Sequence, residues 1–293
     1  MKGSSVTYGA ISVVNAIPSG VGAAIGVSLQ TRCSVQLEDG FGDYRVTING
    51  VPVESRLALE TVKLVLTDAG LDFRSFSGSI DTSTEIPMGV GLKSSSSAST
   101  AIALALCSAL RIEVDFEKVL RWSCKASLNS GTSITGAMDD AAACVYGGLN
   151  VVDNRNGRVL MSREFADEYS VLIHVPSVAS KRDSIDLQLM GRFGNIMSAV
   201  IKTVLAGDVW SALTLNGIVI SDLMGYNNEL SLEAIKAGAV CSGVSGTGPA
   251  VVAVFRDGED NSIDELSRMW GEEEGFVIRT KVNNRRAAII NYE

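Results

Sequence analysis

A glycine-rich loop that runs into four consecutive serines carries the clearest chemical signal in this sequence. Pro87, Gly89 and Gly91 precede Ser94–Ser97, and an Ala- and Leu-rich run continues to Leu106. The N–H groups of such a loop, with the unpaired N–H groups and the dipole of the following helix, favour an anion. A capped loop needs only one serine, and further serines lower helix propensity. The pattern therefore predicts a phosphate site, and the length of the loop favours a polyphosphate.

Two common phosphate motifs do not describe this loop. A Walker A motif has glycine directly before its lysine and another glycine five residues earlier, but around Lys93 those positions hold Leu92 and Pro87. A dinucleotide fingerprint would need a third glycine three residues after Gly91. The loop is therefore predicted to cradle phosphate in a different way.

A second glycine cluster lies in the C-terminal half. Gly243, Gly246 and Gly248 precede the apolar run Val251–Phe255, which reads as a buried strand. Glycines allow the backbone to approach a ligand or another loop closely, and a tight turn before a strand is the alternative. With the first loop in the same chain, the cluster suggests two halves that close on one phosphorylated ligand.

Two adjacent aspartates, Asp139 and Asp140, lie among small apolar residues in Thr135–Gly148. Charge in such surroundings is costly unless it is paired or functional, although an aspartate can also cap a helix. Successive helical residues point about 100° apart, so at most one of the two easily faces a site. The single histidine, His174, disfavours Ser-His-Asp and multi-histidine metal chemistry, which leaves acid–base work to Asp, Glu or Lys.

Composition restricts the partners. The chain has 293 residues, of which 46% are hydrophobic, and a net charge of -8, which disfavours a nucleic-acid partner but not a nucleotide. The five cysteines are odd in number and form no C-x-x-C pair, which is typical of free thiols in a reducing compartment. We find neither a signal-peptide pattern nor an apolar run of membrane-spanning length. The sequence therefore predicts a cytoplasmic protein without membrane or nucleic-acid partners.

Periodicity and turn residues predict an α+β fold with mixed sheets. The second half begins near Ser162, and no Pro-rich or charged linker precedes it, so the halves should share an interface. The predicted elements of the first half are strands within residues 6–49, a helix over Leu57–Ala69, a strand over Phe76–Thr84, and helices over Ala98–Leu110, after Asp115 and over Thr132–Tyr146. Those of the second half include a strand over Ser170–Val175 and a long helix after Asp183.

The three motifs together resemble the GHMP kinase superfamily, which includes galactokinase and the homoserine and mevalonate kinases. The signature of that superfamily, P-x-x-x-G-L-x-S-S-A, is matched by Pro87, Gly91, Leu92, Ser94 and Ser95, with Ser96 where alanine is commonest. Its S-G-x-G-P-like loop is similar to Ser245–Pro249. Its catalytic aspartate precedes a helix-ending glycine by seven residues, and counting back from Gly147 gives Asp140.

Within the superfamily, the lysine after Gly-Leu resembles the archaeal-type shikimate kinases. The resemblance implies a two-domain fold, with a ribosomal protein S5 domain 2-like domain over residues 1–160 and a ferredoxin-like domain over 161–293. It implies ATP-dependent phosphorylation of the 3-hydroxyl of shikimate, a step toward chorismate and the aromatic amino acids. Another small-molecule kinase of the superfamily, for homoserine or mevalonate, is the first alternative. A nucleotide-binding protein without catalysis is the second.

The same resemblance implies roles for individual residues. Asp140 would orient or deprotonate the acceptor hydroxyl, and Ser95 would help to hold Mg²⁺. Because Leu128–Met138 contains no acid, Asp139 is the candidate for a second Mg²⁺ ligand. The residues expected around ATP are Pro87, Met88, Gly89, Val90, Gly91, Leu92, Lys93, Ser94, Ser95, Ser96, Ser97, Gly246, Thr247 and Gly248.

Shikimate carries a carboxylate, so its pocket should contain a cation. Lys181 and Arg182 are the candidates, with a surface charge pair before a helix as the alternative. Asn15 could hydrogen-bond a substrate hydroxyl or cap a turn. Lys93 could add a charge near the phosphates or be a solvated loop lysine.

Overall fold

The computed structural model describes residues 1–178 and 185–290. Two sheets and a set of helices over these ranges confirm the predicted α+β class. The larger sheet contains β1 (Lys2–Val14), β2 (Val21–Asp39), β3 (Tyr44–Ile48), β4 (Val51–Pro52), β5 (Phe76–Thr84), β6 (Leu149–Asp153), β7 (Arg158–Arg163) and β12 (Ala288–Ile289). The smaller sheet contains β8 (Tyr169–Pro176), β9 (Cys241–Val244), β10 (Val251–Arg256) and β11 (Gly275–Lys281).

The larger sheet runs in the order β12-β1-β2-β5-β3-β4, with β6 beside β2 and β7 beside β6. The first part of β2 pairs with β6 and its later part with β5, so one long strand serves two neighbours. The smaller sheet has the order β11-β8-β10-β9, and all of its pairs are antiparallel. The helices are α1 (Arg56–Asp68), α2 (Ser94–Leu110), α3 (Phe116–Ser130), α4 (Met138–Tyr146), α5 (Leu187–Arg192), α6 (Gly194–Leu205), α7 (Val209–Met224), α8 (Glu229–Lys236) and α9 (Asp260–Gly271).

Helix α2 is buried because its small residues let it lie directly on β1. A Cβ at Gly3 would overlap the carbonyl oxygen of Ala105, so only glycine permits this approach. The hydroxyl of Ser5 donates to the carbonyl of Ala101 at 2.6 Å. Most of α2 from Ser96 onward is buried, which fixes the N-terminus of this helix against the sheet.

Three predicted boundaries are wrong. Residues 132–137 form a loop, and α4 begins only at Met138, because Gly136 and Ala137 adopt left-handed backbone angles. Helix α2 begins at Ser94 rather than Ala98, so the serines form its first turn. The predicted long helix after Asp183 is divided at Phe193 into α5 and α6 within the part described.

The two halves share core and strands. One core cluster joins residues of β1 and β2, such as Ile11 and Ile25, to Ile173 of β8 and Val252 of β10. The predicted boundary at residue 160 falls inside β7, and β12 returns from the C-terminal end to pair with β1. The phosphate loop and the second glycine loop can therefore meet. None of the helices in the described ranges has the length and apolarity that a membrane crossing requires.

Candidate active site

The phosphate loop, the second glycine loop and the start of α4 surround one cleft of about 160 Å³. The predicted site residues that line it are Asn15, Gly89, Gly91, Lys93, Ser94, Ser95, Ser96, Asp139, Asp140, Gly246 and Thr247. They come from four separate parts of the sequence: the chain just after β1, the phosphate loop with the first turn of α2, the start of α4 and the second glycine loop. The cleft therefore brings together the residues with which the sequence reading began.

The phosphate loop turns into α2 through left-handed backbone. Gly89 and Gly91 have φ of 76° and 93°, and Lys93, the N-cap residue of α2, has φ of 67° without a side-chain cap. The first internal helical bond runs from the N–H of Ser97 to the carbonyl of Lys93 at 2.9 Å. The N–H groups of Ser94–Ser96 precede it in the helix and lie at the cleft, so they can bind an anion.

Lys93 and Asp140, which both line the cleft, form an ion pair. Nζ of Lys93 lies 3.0 Å from Oδ1 of Asp140, and the two side chains are only 9% and 16% exposed. A Cβ added at Gly246 would lie 3.1 Å from Nζ, so this glycine leaves room for the lysine. Among the described residues, Lys93 is the one lysine or arginine that lines the cleft. The alternative of a solvated loop lysine is wrong.

Asp139 is buried beside this pair. Burial, with repulsion from Asp140, raises the pKa of Asp139 to about 7, while Lys93 and Asn154 oppose the rise. Its Oδ1 accepts a hydrogen bond from Nδ2 of Asn154 at 2.9 Å. Its Oδ2 lies so close to Gly22 that no Cβ would fit there. Asp139 is therefore tightly held, whereas Asp140 faces the cation.

The two glycine loops interlock through Ser245. Its hydroxyl donates to the carbonyl of Gly91 at 2.7 Å and accepts from the N–H of Ser12 at 3.0 Å. A Cβ at Gly91 would overlap the carbonyl oxygen of Ser245. The N–H of Ala250 also donates to the carbonyl of Val90 at 3.1 Å. The second loop thus braces the first.

Asn15 borders the cleft, but both ends of its amide have partners within the protein. Nδ2 donates to the carbonyl of Gly246 at 3.0 Å, and Oδ1 accepts from the N–H of Ile17 at 2.8 Å. Its own N–H donates to Oδ1 of Asn216 at 2.8 Å. The side chain therefore links β1 to the second glycine loop.

Several predicted ATP contacts do not line the cleft, and three of them have side chains that pack elsewhere. Leu92 is only 1% exposed in the core, and Val90 packs against the same cluster. The hydroxyl of Ser97 pairs with that of Thr7 at 2.9 Å. The other predicted contacts outside the lining are Pro87, Met88 and Gly248. Lys181 and Arg182 lie outside the described residues.

Other residues, which the sequence did not indicate, also line the cleft. They include Ser12, Ser127, Ile185 and, from the loop before α4, Thr132, Ser133 and Thr135. The glycines that flank this loop, Gly131 and Gly136, are the signal that could have separated it from α4. Within the described ranges, no group of three or more His, Cys, Asp or Glu could hold a metal ion.

Residues 56–148, which carry the phosphate loop and both aspartates, match the model of the GHMP kinases N terminal domain. A shikimate kinase of Methanobrevibacter smithii is 32% identical over 290 residues, covering 97% of this chain and 98% of that protein. A shikimate kinase of Methanothrix thermoacetophila is 36% identical over 287 residues, covering 98% of this chain and 96% of that protein. The chain therefore belongs to the GHMP kinase superfamily and, within it, to the archaeal-type shikimate kinase family.

Solved structures support the fold. The mevalonate kinase of L. major, in complex with R-mevalonate, superposes with a TM-score of 0.72 at 16% identity and covers 96% of both chains. The homoserine kinase of Cytophaga hutchinsonii superposes with a TM-score of 0.75 at 19% identity, covering 98% of this chain and 97% of its own. These similarities establish the two-domain GHMP kinase fold.

Proposed function

We propose that this protein transfers the γ-phosphoryl group of ATP to the 3-hydroxyl of shikimate, giving shikimate 3-phosphate and ADP. The observation that carries the proposal is the Lys93–Asp140 pair, which lies in one cleft with the anion-binding start of α2. Phosphoryl transfer needs positioning and charge stabilisation more than covalent help from the protein. The full-length relatives named shikimate kinase support the choice of acceptor.

The triphosphate of ATP lies against the phosphate loop in this proposal. Gly89, Gly91 and the N–H groups of Ser94–Ser96 surround its oxygens, and Gly246 and Thr247 close the opposite side. Backbone donors suit this task because they are already oriented, so little reorganisation accompanies the reaction. Lys93 supplies the nearest positive charge. Two of the fourteen residues predicted around ATP, Val90 and Leu92, have side chains that pack into the core. These two residues shape the loop rather than contact the nucleotide.

Mg²⁺ fits this site mainly through the nucleotide. Ser95 lines the cleft in the first turn of α2 and offers a hydroxyl oxygen, the kind of ligand that Mg²⁺ accepts alongside phosphate oxygens. A bound Mg²⁺ would neutralise phosphate charge. Ser95→Ala should raise the Mg²⁺ concentration that half-saturates the enzyme. Ser97→Ala is the matched control, because that hydroxyl pairs with Thr7 outside the cleft.

Asp140 is the group that receives the proton. The acceptor oxygen forms a bond to the γ-phosphorus, the bond from that phosphorus to the β,γ-bridging oxygen breaks, and ADP leaves. The hydroxyl proton passes to the carboxylate of Asp140. Lys93, 3.0 Å away, holds this carboxylate in place and balances its charge next to the polyphosphate.

The acceptor lies on the side of the cleft formed by the loop of residues 131–137. Thr132, Ser133 and Thr135 of this loop line the cleft together with Ser12 of β1 and Ser127 of α3, and such hydroxyl-bearing residues suit a ring with several hydroxyls. We keep Lys181 and Arg182 as the candidate partners of the acceptor carboxylate. Ile185, three residues after Arg182, lines the cleft, and this supports the choice. Asn15 shapes the pocket through the second glycine loop.

The test is ADP release with shikimate, homoserine and mevalonate compared at equal concentration. We expect the protein to phosphorylate shikimate faster than the other two compounds. If it turned over only homoserine or mevalonate, that compound would replace shikimate as the proposed acceptor. Asp140→Asn should lower kcat by roughly 10²- to 10⁴-fold while ATP still binds. Asp222→Asn, at an exposed position of α7, is the control. ATP binding without turnover of any acceptor would support a non-enzymatic protein.

A cytoplasmic location belongs to the proposal and agrees with five unpaired cysteines.

A further inference from the structure

The first turn of α4 is capped by a residue from another part of the chain. Ala137 is the N-cap residue, with φ of 53° and no side chain that could accept a hydrogen bond. Asn154, which follows β6, supplies the missing acceptor. Its Oδ1 accepts from the N–H of Met138 at 2.7 Å and, with a longer bond, from the N–H of Asp139 at 3.4 Å. Two of the N–H groups that a helix start leaves unpaired are thus satisfied from outside the helix.

The same amide holds the side chain of Asp139. A backbone N–H can only donate, so the oxygen of the Asn154 amide must face α4, and its nitrogen must face Asp139. Nδ2 accordingly donates to Oδ1 of Asp139 at 2.9 Å. Asn154 is itself anchored, because its N–H donates to the carbonyl of Gly20 at 2.9 Å. The turn before β2 and the turn after β6 therefore fix the helix start together.

The second oxygen of Asp139 has little freedom. Oδ2 lies against Gly22 of β2, where an added Cβ would overlap this oxygen and come within 2.9 Å of the Cβ of Ala16. The residue is only 4% exposed. With one oxygen hydrogen-bonded and the other packed against a strand, Asp139 has the surroundings of a fixed structural side chain rather than of a metal ligand.

We propose that Asn154 and Asp139 form a clamp that positions Asp140, and that Asp139 is a positioning residue rather than a Mg²⁺ ligand. Asp140 is the next residue of the same helical turn, so the clamp sets the place of its carboxylate relative to Lys93. The inference rests on the proposed function, because Asp140 is catalytic only there. Displacing a reacting group by about 1 Å can cost roughly 100-fold in rate.

A side-chain exchange tests the clamp. Asn154→Asp sets two carboxylates against each other, and kcat should fall by about 10-fold or more, with a lower melting temperature. In Asp139→Asn, the new amide oxygen can still accept a hydrogen bond from Asn154, so kcat should fall by no more than about 5-fold. In the double variant D139N/N154D, the donor and the acceptor have exchanged places. Its kcat should return to within about 5-fold of the unmodified protein, and its melting temperature should recover as well.

Asn156→Asp is the matched control. Nδ2 of Asn156 donates to Oδ2 of Asp153 at 2.8 Å in the same turn, and this residue is exposed. The substitution adds the same charge two residues away without touching α4, so kcat should not change. Mg²⁺ titrations with each variant give a second readout, because a positioning residue leaves the half-saturating Mg²⁺ concentration within about 2-fold.

Two results would overturn the clamp. One is a double variant that is no better than Asn154→Asp in both kcat and melting temperature, including the case in which neither folds. The other is an Asp139→Asn protein that needs about 10-fold more Mg²⁺, which would identify a metal ligand. If the unmodified protein turned over no acceptor, the proposed function would fail, yet recovery of the melting temperature in the double variant would still support the clamp.

Discussion

Nζ of Lys93 lies 3.0 Å from Oδ1 of Asp140, and this contact joins the phosphate loop to the helix that carries the candidate catalytic carboxylate. Lys93 reaches it from a left-handed backbone position, where glycine would be less strained. Strain of this kind persists where the surrounding structure imposes it, and it concentrates at functional sites. We therefore infer that a lysine occupies this position because its ammonium group pairs with Asp140, although the left-handed backbone lowers the stability of the protein.

Two substitutions of Lys93 separate its charge from its backbone strain. Lys93→Ala and Lys93→Gly both remove the ammonium group beside Asp140, so both should lose about 10²-fold or more in kcat. The glycine variant relieves the left-handed strain and should be more stable than the alanine variant by about 1 kcal/mol, or roughly 2–4 °C in melting temperature. Steady-state kinetics and thermal melting of both proteins measure this. Equal melting temperatures would refute the strain, and near-normal turnover would refute the role of the charge.

Two glycines of the phosphate loop should differ sharply in how well they tolerate substitution by alanine. Gly91→Ala places a Cβ on the carbonyl of Ser245, so it should separate the two loops, raise KM for ATP and destabilise the protein. Gly89→Ala is the control for stability, because a Cβ there meets nothing within 4 Å and only the left-handed φ costs about 1 kcal/mol. Melting temperature distinguishes the two variants, and KM for ATP reports the separation of the loops in Gly91→Ala. Equal melting temperatures of the two variants would mean that the loops do not interlock.

Ser245→Ala tests the bridge between the loops directly. It leaves the N–H of Ser12 without its acceptor, and a buried unsatisfied donor costs about 1–3 kcal/mol. It also frees the carbonyl of Gly91, so KM for ATP should rise more than kcat falls. Ser242→Ala is the matched control, since this buried hydroxyl donates only to the carbonyl of Val252, at 2.8 Å. An unchanged KM in the Ser245 variant would show that the bridge does not set the loop geometry.

The stability of the unliganded protein should depend on pH through Asp139. Burial raises the pKa of Asp139 to about 7, whereas an unfolded aspartate titrates near pH 4, so the folded state binds the extra proton between these values. The stabilising contribution is complete below about pH 4 and is lost as pH rises to about 7. Asp139→Asn should flatten this part of the melting-temperature profile, and Asp222→Asn should not. An unchanged slope in the Asp139 variant would assign the titration to another group.

Local patterns predicted much of the fold. The strand over Phe76–Thr84 has the predicted bounds, and Asp115 caps α3 by accepting from the N–H groups of Glu117 and Lys118. Such features depend on neighbours in the chain, so periodicity and capping residues suffice to find them. The predicted start of α4 was wrong because the left-handed backbone at Gly136 and Ala137, where Gly136 lies close to the sulfur of Cys124, separates residues 132–135 from the helix.

The site residues divide in the same way, into those that local sequence patterns indicate and those that only packing places at the cleft. A glycine loop before a helix start indicates an anion site whatever surrounds it, because the unpaired N–H groups belong to the backbone itself. The resemblance to the GHMP kinases indicated Asp140, through its spacing from Gly147. Which serines face the cleft depends on the turn at Lys93: Ser94–Ser96 line it, whereas Ser97 turns to Thr7 on β1.

The sequence by itself determined the α+β class and the motif of the phosphate loop, and its resemblance to the GHMP kinases indicated Asp140 as the candidate base, because each of these follows from residues close together in the chain. Only the tertiary structure decided that Lys93 pairs with Asp140, that Ser245 locks the two loops, and that Asn154 caps the helix of Asp139. These contacts join residues far apart in the chain. They exist because burial of the two glycine loops and of the start of α4 leaves few partners for each polar group, and a single sequence does not record which partner is within reach.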